Sequence, residues 1–196
     1  IVIKNALESL PTPTNAVYTK SIAYDHIPTI TYFPTATTKI LPITVKNTAK
    51  QVGYIDGAGD KLPEALVELG ATVTHLTESD ITLDKLKAFD AIVVGIRAYN
   101  MYEFLTEKND IFNAYIAQGG NLVVQYLKSN NVGIKPVKVG PYAFTVNAGK
   151  RVTQENVPVE FNLPNHAVLN KPNTLTKQDF DNWTQERSTY QSDNFD

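Results

Sequence analysis

QVGYIDGAGDKLPEALVELGATVTHL, residues 51–76, changes its hydrophobic period twice. QVGYI (51–55) is an apolar run of strand length. Leu62, Ala65, Leu66 and Leu69 then fall at the i, i+3, i+4, i+7 spacing of one buried helix face, and ATVTHL (71–76) returns to β-branched residues. Between them Asp60 stands where a helix cap belongs, Pro63 and Glu64 suit a first turn, and Gly70 supplies a left-handed exit. Strand, helix and strand in so short a span make a βαβ unit with parallel strands.

The alternation continues along the chain. A short helix through Leu83 and Leu86 leads to AIVVGI (91–96). A helix with Leu105, Ile111, Phe112, Tyr115 and Ile116 on one side ends at Gly119 and Gly120, and NLVVQY (121–126) is a fourth strand. Four strands joined by helices predict an α/β fold, a flavodoxin-like three-layer parallel sheet with helices on both faces. Further on, PYAFTV (141–146) and VPVEF (157–161) read as strands, and Thr176 with Asp179 fits a capping box opening a helix through Phe180 and Trp183.

Before this region the chain is rich in Thr and Pro, with Pro11, Pro13, Pro28, Pro34 and Pro42, which confine it to extended, turn or edge-strand geometry. Tyr18, Tyr24, Tyr32 and Phe33 give it more apolar surface than a solvated linker carries. The expected organisation is an extended linker or tail of a preceding β domain over 1–48, then the α/β domain over 49–196. The chain begins with Ile1 and no signal-like segment follows, so it reads as a piece of something longer.

Composition narrows the function. Eighteen Lys and Arg against 20 Asp and Glu leave a formal charge of −2, without the basic field that holds a polyanion, so nucleic acid is not an expected partner. No apolar stretch approaches the roughly 20 residues that cross a bilayer, so no membrane span is expected. Cysteine is absent, which removes disulfides, thiolate metal sites and thiol nucleophiles. His26, His75 and His166 are widely spaced and form no zinc-ligand motif, and His75 alternates into a strand, where packing is its expected role. There is no G-x-S-x-G elbow, and Ser129 reads as a loop residue.

DGAGD (56–60) follows the first strand as a phosphate-binding loop would. Leu62 occupies the place of the third glycine, however, and Asp56 and Asp60 set two carboxylates where an anion should sit. Three readings stand: a tight turn with Asp60 as cap, a polar-ligand site using Asp56, and a nucleotide site with Glu78 on the ribose.

In open α/β sheets ligands sit beyond the carboxyl ends of the strands. Those tips carry Asp56, Asp60, Glu78, Arg97, Tyr99, Asn100, Gln125 and Tyr126, a set of forked donors, amides and aromatic hydroxyls suited to sugars and carboxylates. Arg97 either joins such a site or ties two loops together by an ion pair with Asp56 or Glu78. In the C-terminal stretch, His166, Trp183 and Arg187 are further candidates, with Trp183 either closing the core or stacking on a sugar ring.

VGYIDGAGDKLPEAL (52–66), FDAIVVGIRAYN (89–100), GGNLVVQY (119–126), VGPYAF (139–144), RVTQENVPVEF (151–161) and the segment from HAVLN to DFDNWTQER (166–187) together resemble the C-terminal domain attached to bacterial PIG-L (LmbE-like) N-acetylglucosaminyl deacetylases. The resemblance covers about residues 20–190. It implies a class I glutamine-amidotransferase-like domain of an exported, periplasmic or extracellular protein, whose partner is an N-terminal deacetylase domain of the same polypeptide. The His-Pro-Asp-Asp signature of that domain is absent here, so zinc is expected only in the missing deacetylase domain and no cofactor in this chain. The amidotransferase nucleophile would follow NLVVQY, where Gln125 and Tyr126 stand instead. The expectation is a non-catalytic accessory domain binding a carbohydrate or small polar ligand. The alternatives are a hydrolase using Asp56 or Glu78 as general base, and a purely structural packing domain.

Overall fold

The structure, a computed structural model, describes residues 16–37, 44–143, 145–182 and 190–193. The chain divides into two compact units, Ile1–Thr44 and Val45–Asp196. In the first, β1 (Lys20–Tyr24) and β2 (Ile27–Tyr32) pair antiparallel, with Ile22 opposite Ile30 and an irregularity before Tyr24. Both strands of a two-stranded ribbon are edges, so Pro28 fits without removing a needed ladder bond.

The second unit holds the βαβ region. β3 (Gln51–Ile55), α1 (Leu62–Glu68), β4 (Thr72–His75), a 3₁₀ turn (Glu78–Asp80), α2 (Leu83–Leu86) and β5 (Ala91–Val94) follow in order. After them come α3 (Ala98–Met101), α4 (Glu103–Glu107), α5 (Asn109–Ala117) and β6 (Leu122–Val124). The four strands form one parallel sheet in the order β4-β3-β5-β6. The chain therefore steps outward from β3 to β4 and then returns past β3 to β5, and the strand order reverses between β3 and β5.

Strand alternation sorts the core onto two sides of this sheet. Val52, Tyr54 and Val93 pack with Ala71 and with Leu62 and Leu66 of α1. Ile55, Ile92 and Val94 pack with Leu86 of α2, Leu105 of α4 and Phe112 and Tyr115 of α5. Gly53 faces the second of these layers, where a Cβ would stand 2.7 Å from both Ile92 Cδ1 and Leu76 Cδ1.

Three expectations need correcting. Leu69 is 45% exposed, because α1 ends at Glu68 and Leu69 already lies past its last turn. The helix expected from Leu105 to Ile116 is two, α4 and α5, broken at Lys108, and the short α3 precedes them. The Lys108 ammonium is drawn across to the 3₁₀ turn, donating to Glu78 O at 2.6 Å and Ile81 O at 3.4 Å. VPVEF forms no strand: Val157, Val159 and Phe161 alternate as half-buried residues, but Pro158 has no N–H to offer a ladder.

The remaining elements are small. β7 (Asn131–Val132) and β8 (Lys135–Pro136) form a hairpin around Gly133, and β9 (Thr145–Asn147), which overlaps the strand expected at 141–146 only at Thr145 and Val146, pairs antiparallel with β10 (Gln191–Asp193). α6 spans Ala167–Asn170. Thr176 and Asp179 do form a capping box, on a 3₁₀ turn (Lys177–Phe180) that stops at extended Asp181. Trp183, the expected continuation, lies outside the described residues.

Candidate functional site

Parallel strands present all their carboxyl ends to one side, and at the switch point between β3 and β5 that side is filled. Asp60 Oδ2 accepts from the Tyr54 hydroxyl at 2.6 Å, from Gln125 Nε2 at 3.4 Å and from the Ile96 amide at 3.5 Å, while Oδ1 accepts from the Leu62 amide at 2.8 Å. Gln125 Nε2 also donates to the Tyr54 oxygen at 3.0 Å. Burial pushes the Asp60 carboxyl up, but these donors together outweigh it and hold the group below its ordinary value. Burial and the bond to Asp60 raise the Tyr54 phenol far above its own.

The loops after β3 and β5 interlock as well. The Ala58 amide donates to Ile96 O at 2.7 Å, and a Cβ on Gly57 would lie 2.1 Å from that oxygen. Of the three readings of DGAGD, this geometry fits the tight turn with Asp60 bonding the first helical amide.

Asp56 points elsewhere. Its Oδ2 lies 2.8 Å from His75 Nδ1, and both side chains are more than half exposed. His75 therefore does not pack in the sheet as its alternation suggested. The β3–β4 register sets it opposite Tyr54, so its ring meets Tyr54 edge-on at 5.8 Å and its Nδ1 meets the carboxylate that follows the strand. Asp56 is thus held by His75 rather than by Arg97, and Glu78 opens the 3₁₀ turn.

Arg97 has φ 60°, a left-handed conformation uncommon for a residue with a side chain, and its amide donates to Tyr126 O at 2.9 Å. Its Nε is buried without a hydrogen-bond partner. No ion pair to Arg97 occurs among the described residues. Beside it the Tyr126 ring lies 5.5 Å from that of Tyr190, and the Arg151 guanidinium stands 6.0 Å from the Tyr190 ring centroid. Burial and the hydrogen-bonded Tyr190 phenol raise the Tyr126 hydroxyl, against the downward pull of Arg97 and Arg151. Past β5 and β6 the two phenols and the Arg151 guanidinium thus meet, with the charge of Arg97 acting on the Tyr126 hydroxyl.

The other candidates lie differently. Tyr99 is 1% exposed and packs in the core with Ile55 and Phe112, where burial raises its phenol well above the ordinary value. Asn100 is engaged on both sides of its amide: Nδ2 donates to Ser129 O and Asn131 O, each at 2.9 Å, and Oδ1 accepts from the Lys128 amide at 2.8 Å. His166 caps α6, its Nδ1 accepting from the Val168 amide at 3.2 Å. Trp183 and Arg187 lie outside the described residues. A cavity of about 870 Å³ opens at the amino ends of the strands, where Asp90 and Asn121 line it.

Sequence reasoning missed His75 as the partner of Asp56, and Arg151 and Tyr190 beside Tyr126. The parallel register of β3 and β4 was the available signal for the first. For the other two there was none, because irregular segments carry them back to the sheet.

Among the described residues no cluster of three or more His, Asp or Glu is arranged to hold a metal ion, and no helix is long and apolar enough to cross a membrane. Comparison with models of protein families, with curated proteins and with solved structures finds no match.

Proposed function

We propose that the chain is a non-catalytic accessory domain, flavodoxin-like and related to class I glutamine amidotransferases, that binds a carbohydrate or other small polar ligand at the carboxyl ends of its strands. In this reading it serves a bacterial, exported PIG-L-type deacetylase, whose zinc belongs to the deacetylase domain. The observation that carries the reading is the cluster of Arg97, Tyr126, Tyr190 and Arg151. Planar guanidinium forks bind carboxylates and hydroxyls, and phenol rings offer a face to the C–H side of a sugar. Arg97 also holds an unpaired buried donor there. The strand order, with its reversal between β3 and β5, is compatible with the fold.

The test is calorimetric titration of the chain with N-acetylglucosamine oligosaccharides, repeated with Arg97→Ala and Tyr126→Ala. The expected result is saturable binding that each variant weakens about tenfold, with the melting temperature nearly unchanged. Binding that survives both changes, or a lowered melting temperature with unchanged affinity, would overturn the reading in favour of a packing role. Neither glutamine nor N-acetylglucosamine conjugates should be hydrolysed by this chain.

A hydrolase is the second reading, and the pair Asp56–His75 favours it. A carboxylate bonded to Nδ1 orients an imidazole and leaves its other nitrogen to move a proton. Hydrolysis of an amide or ester substrate above a boiled control, abolished by His75→Ala, would establish it.

A further inference from the structure

α5 carries Asn109 and Asn113 four residues apart, hence on one face of the helix, and both line a second cavity of about 280 Å³ closed by the chain from Val137 to Ala143. Asn109 is 8% exposed. The Oδ1 atoms of both residues are buried without a hydrogen-bond partner, and among the described residues the side-chain contact is that of Asn109 Nδ2, 3.5 Å from Gly140 O. Unsatisfied acceptors withdrawn from water are costly and rare in native proteins, so two on the same cavity wall call for an explanation. The third asparagine there shows the contrast: Asn130 is fully engaged with the Val146 backbone, donating to its oxygen at 3.1 Å and accepting its amide at 2.9 Å.

We propose that Asn109 and Asn113 form a ligand site, separate from the strand-end cluster and independent of it, for a neutral hydroxyl-rich molecule the size of one sugar ring. Empty acceptors select a ligand that brings donors. No carboxylate lines the cavity and Lys138 does, which disfavours a cation and leaves hydroxyl groups as the fitting donors. Tyr142, 83% exposed at the rim, supplies an aromatic face for the apolar side of such a ring. The volume falls just below the roughly 300–1,000 Å³ of sites for larger ligands.

The experiment labels the full chain with ¹⁵N and titrates it to about 50 mM with glucose, with N-acetylglucosamine and with putrescine as a cationic comparator, following the Asn109 and Asn113 side-chain amides. The expected outcome is saturable movement of both signals with at least one sugar and none with putrescine. Asn113→Ala, which removes no hydrogen bond, and Tyr142→Ala, at an exposed ring, should each weaken that binding about fivefold without lowering the melting temperature. Arg97→Ala should leave it intact, which separates this site from the strand-end cluster. Absence of saturation with both sugars, movement with putrescine alone, unchanged affinity in both cavity variants, or loss of the effect in Arg97→Ala would each overturn the proposal.

Discussion

Tyr54 is 1% exposed, yet its hydroxyl is the hub on which Asp60 and Gln125 meet. Tyr54→Phe keeps the ring and removes the donor, leaving a partly buried carboxylate without its shortest bond. The expected cost is about 1–3 kcal/mol at neutral pH, read by urea denaturation. Its pH dependence follows from the sign of the shift. Asp60 is depressed in the folded chain, so the stability it contributes is present above its unfolded value of 3.8 and is lost as pH falls through the lower folded value. Without Tyr54 the depression is smaller, so the difference between wild type and variant should shrink on acidification below about pH 4. A difference constant from neutral to acid pH would show that the carboxylate does not carry the effect. Gly57 tests the same locus sterically. Gly57→Ala puts a Cβ 2.1 Å from Ile96 O, between two backbone segments that cannot yield as a side-chain end does. It should lower the melting temperature more than Gly149→Ala, whose nearest contact would be the Asn147 side chain at 3.3 Å.

At the scale of elements, stability rests on what α5 buries. Phe112 is fully buried among Leu105, Ile81 and Val94, and Phe112→Ala should cost about 3–5 kcal/mol, measured as a shift in the urea midpoint at unchanged slope. Elements of this kind are what the sequence makes legible. β3, β5 and β6 are short apolar runs between turn residues and β4 is β-branched, while α1 shows half-buried Leu62, Ala65 and Leu66, and α2 half-buried Leu83 and buried Leu86, at helical spacing. The break at Lys108 was hidden, because no Gly or Pro marks it, and the bonds its side chain makes to carbonyls 27 and 30 residues earlier are tertiary contacts. The strand ends were legible as a location but not as an arrangement. Asn100 and Tyr99 look as polar on paper as Arg97, and only tertiary contacts separate an amide engaged by the turn at 128–131 and a ring in the core from a guanidinium with an unpaired Nε. Arg151 and Tyr190 approach Tyr126 from segments with no periodicity to extrapolate.

At the scale of the molecule the question is where the α/β unit begins. Composition suggested residue 49, where the Pro- and Thr-rich segment ends, whereas the compact unit starts at Val45. The residues between are joined to distant parts of that unit. The Lys46 amide donates to Asn173 Oδ1 at 2.8 Å and Asn173 Nδ2 donates back to Lys46 O at 2.9 Å, so one asparagine pairs with both backbone groups of a residue 127 positions earlier. Asn47 Nδ2 donates to Leu69 O at 3.1 Å, covering a carbonyl at the exit of α1, while its Oδ1 accepts the Ala49 amide at 3.0 Å. Fragment 45–196 keeps these bonds and fragment 49–196 loses those made by Lys46 and Asn47. Because several of the groups are exposed and regain water when the bonds break, the expected difference is only about 1–3 kcal/mol. The fragment from 45 should unfold in one cooperative transition at a higher urea midpoint than the fragment from 49, and Asn173→Ala in the longer fragment should recover a large part of the gap. Equal midpoints would place the boundary at 49 and reduce the Lys46–Asn173 pairing to a surface contact. An unfolded 45–196 fragment would mean that the two units do not fold independently.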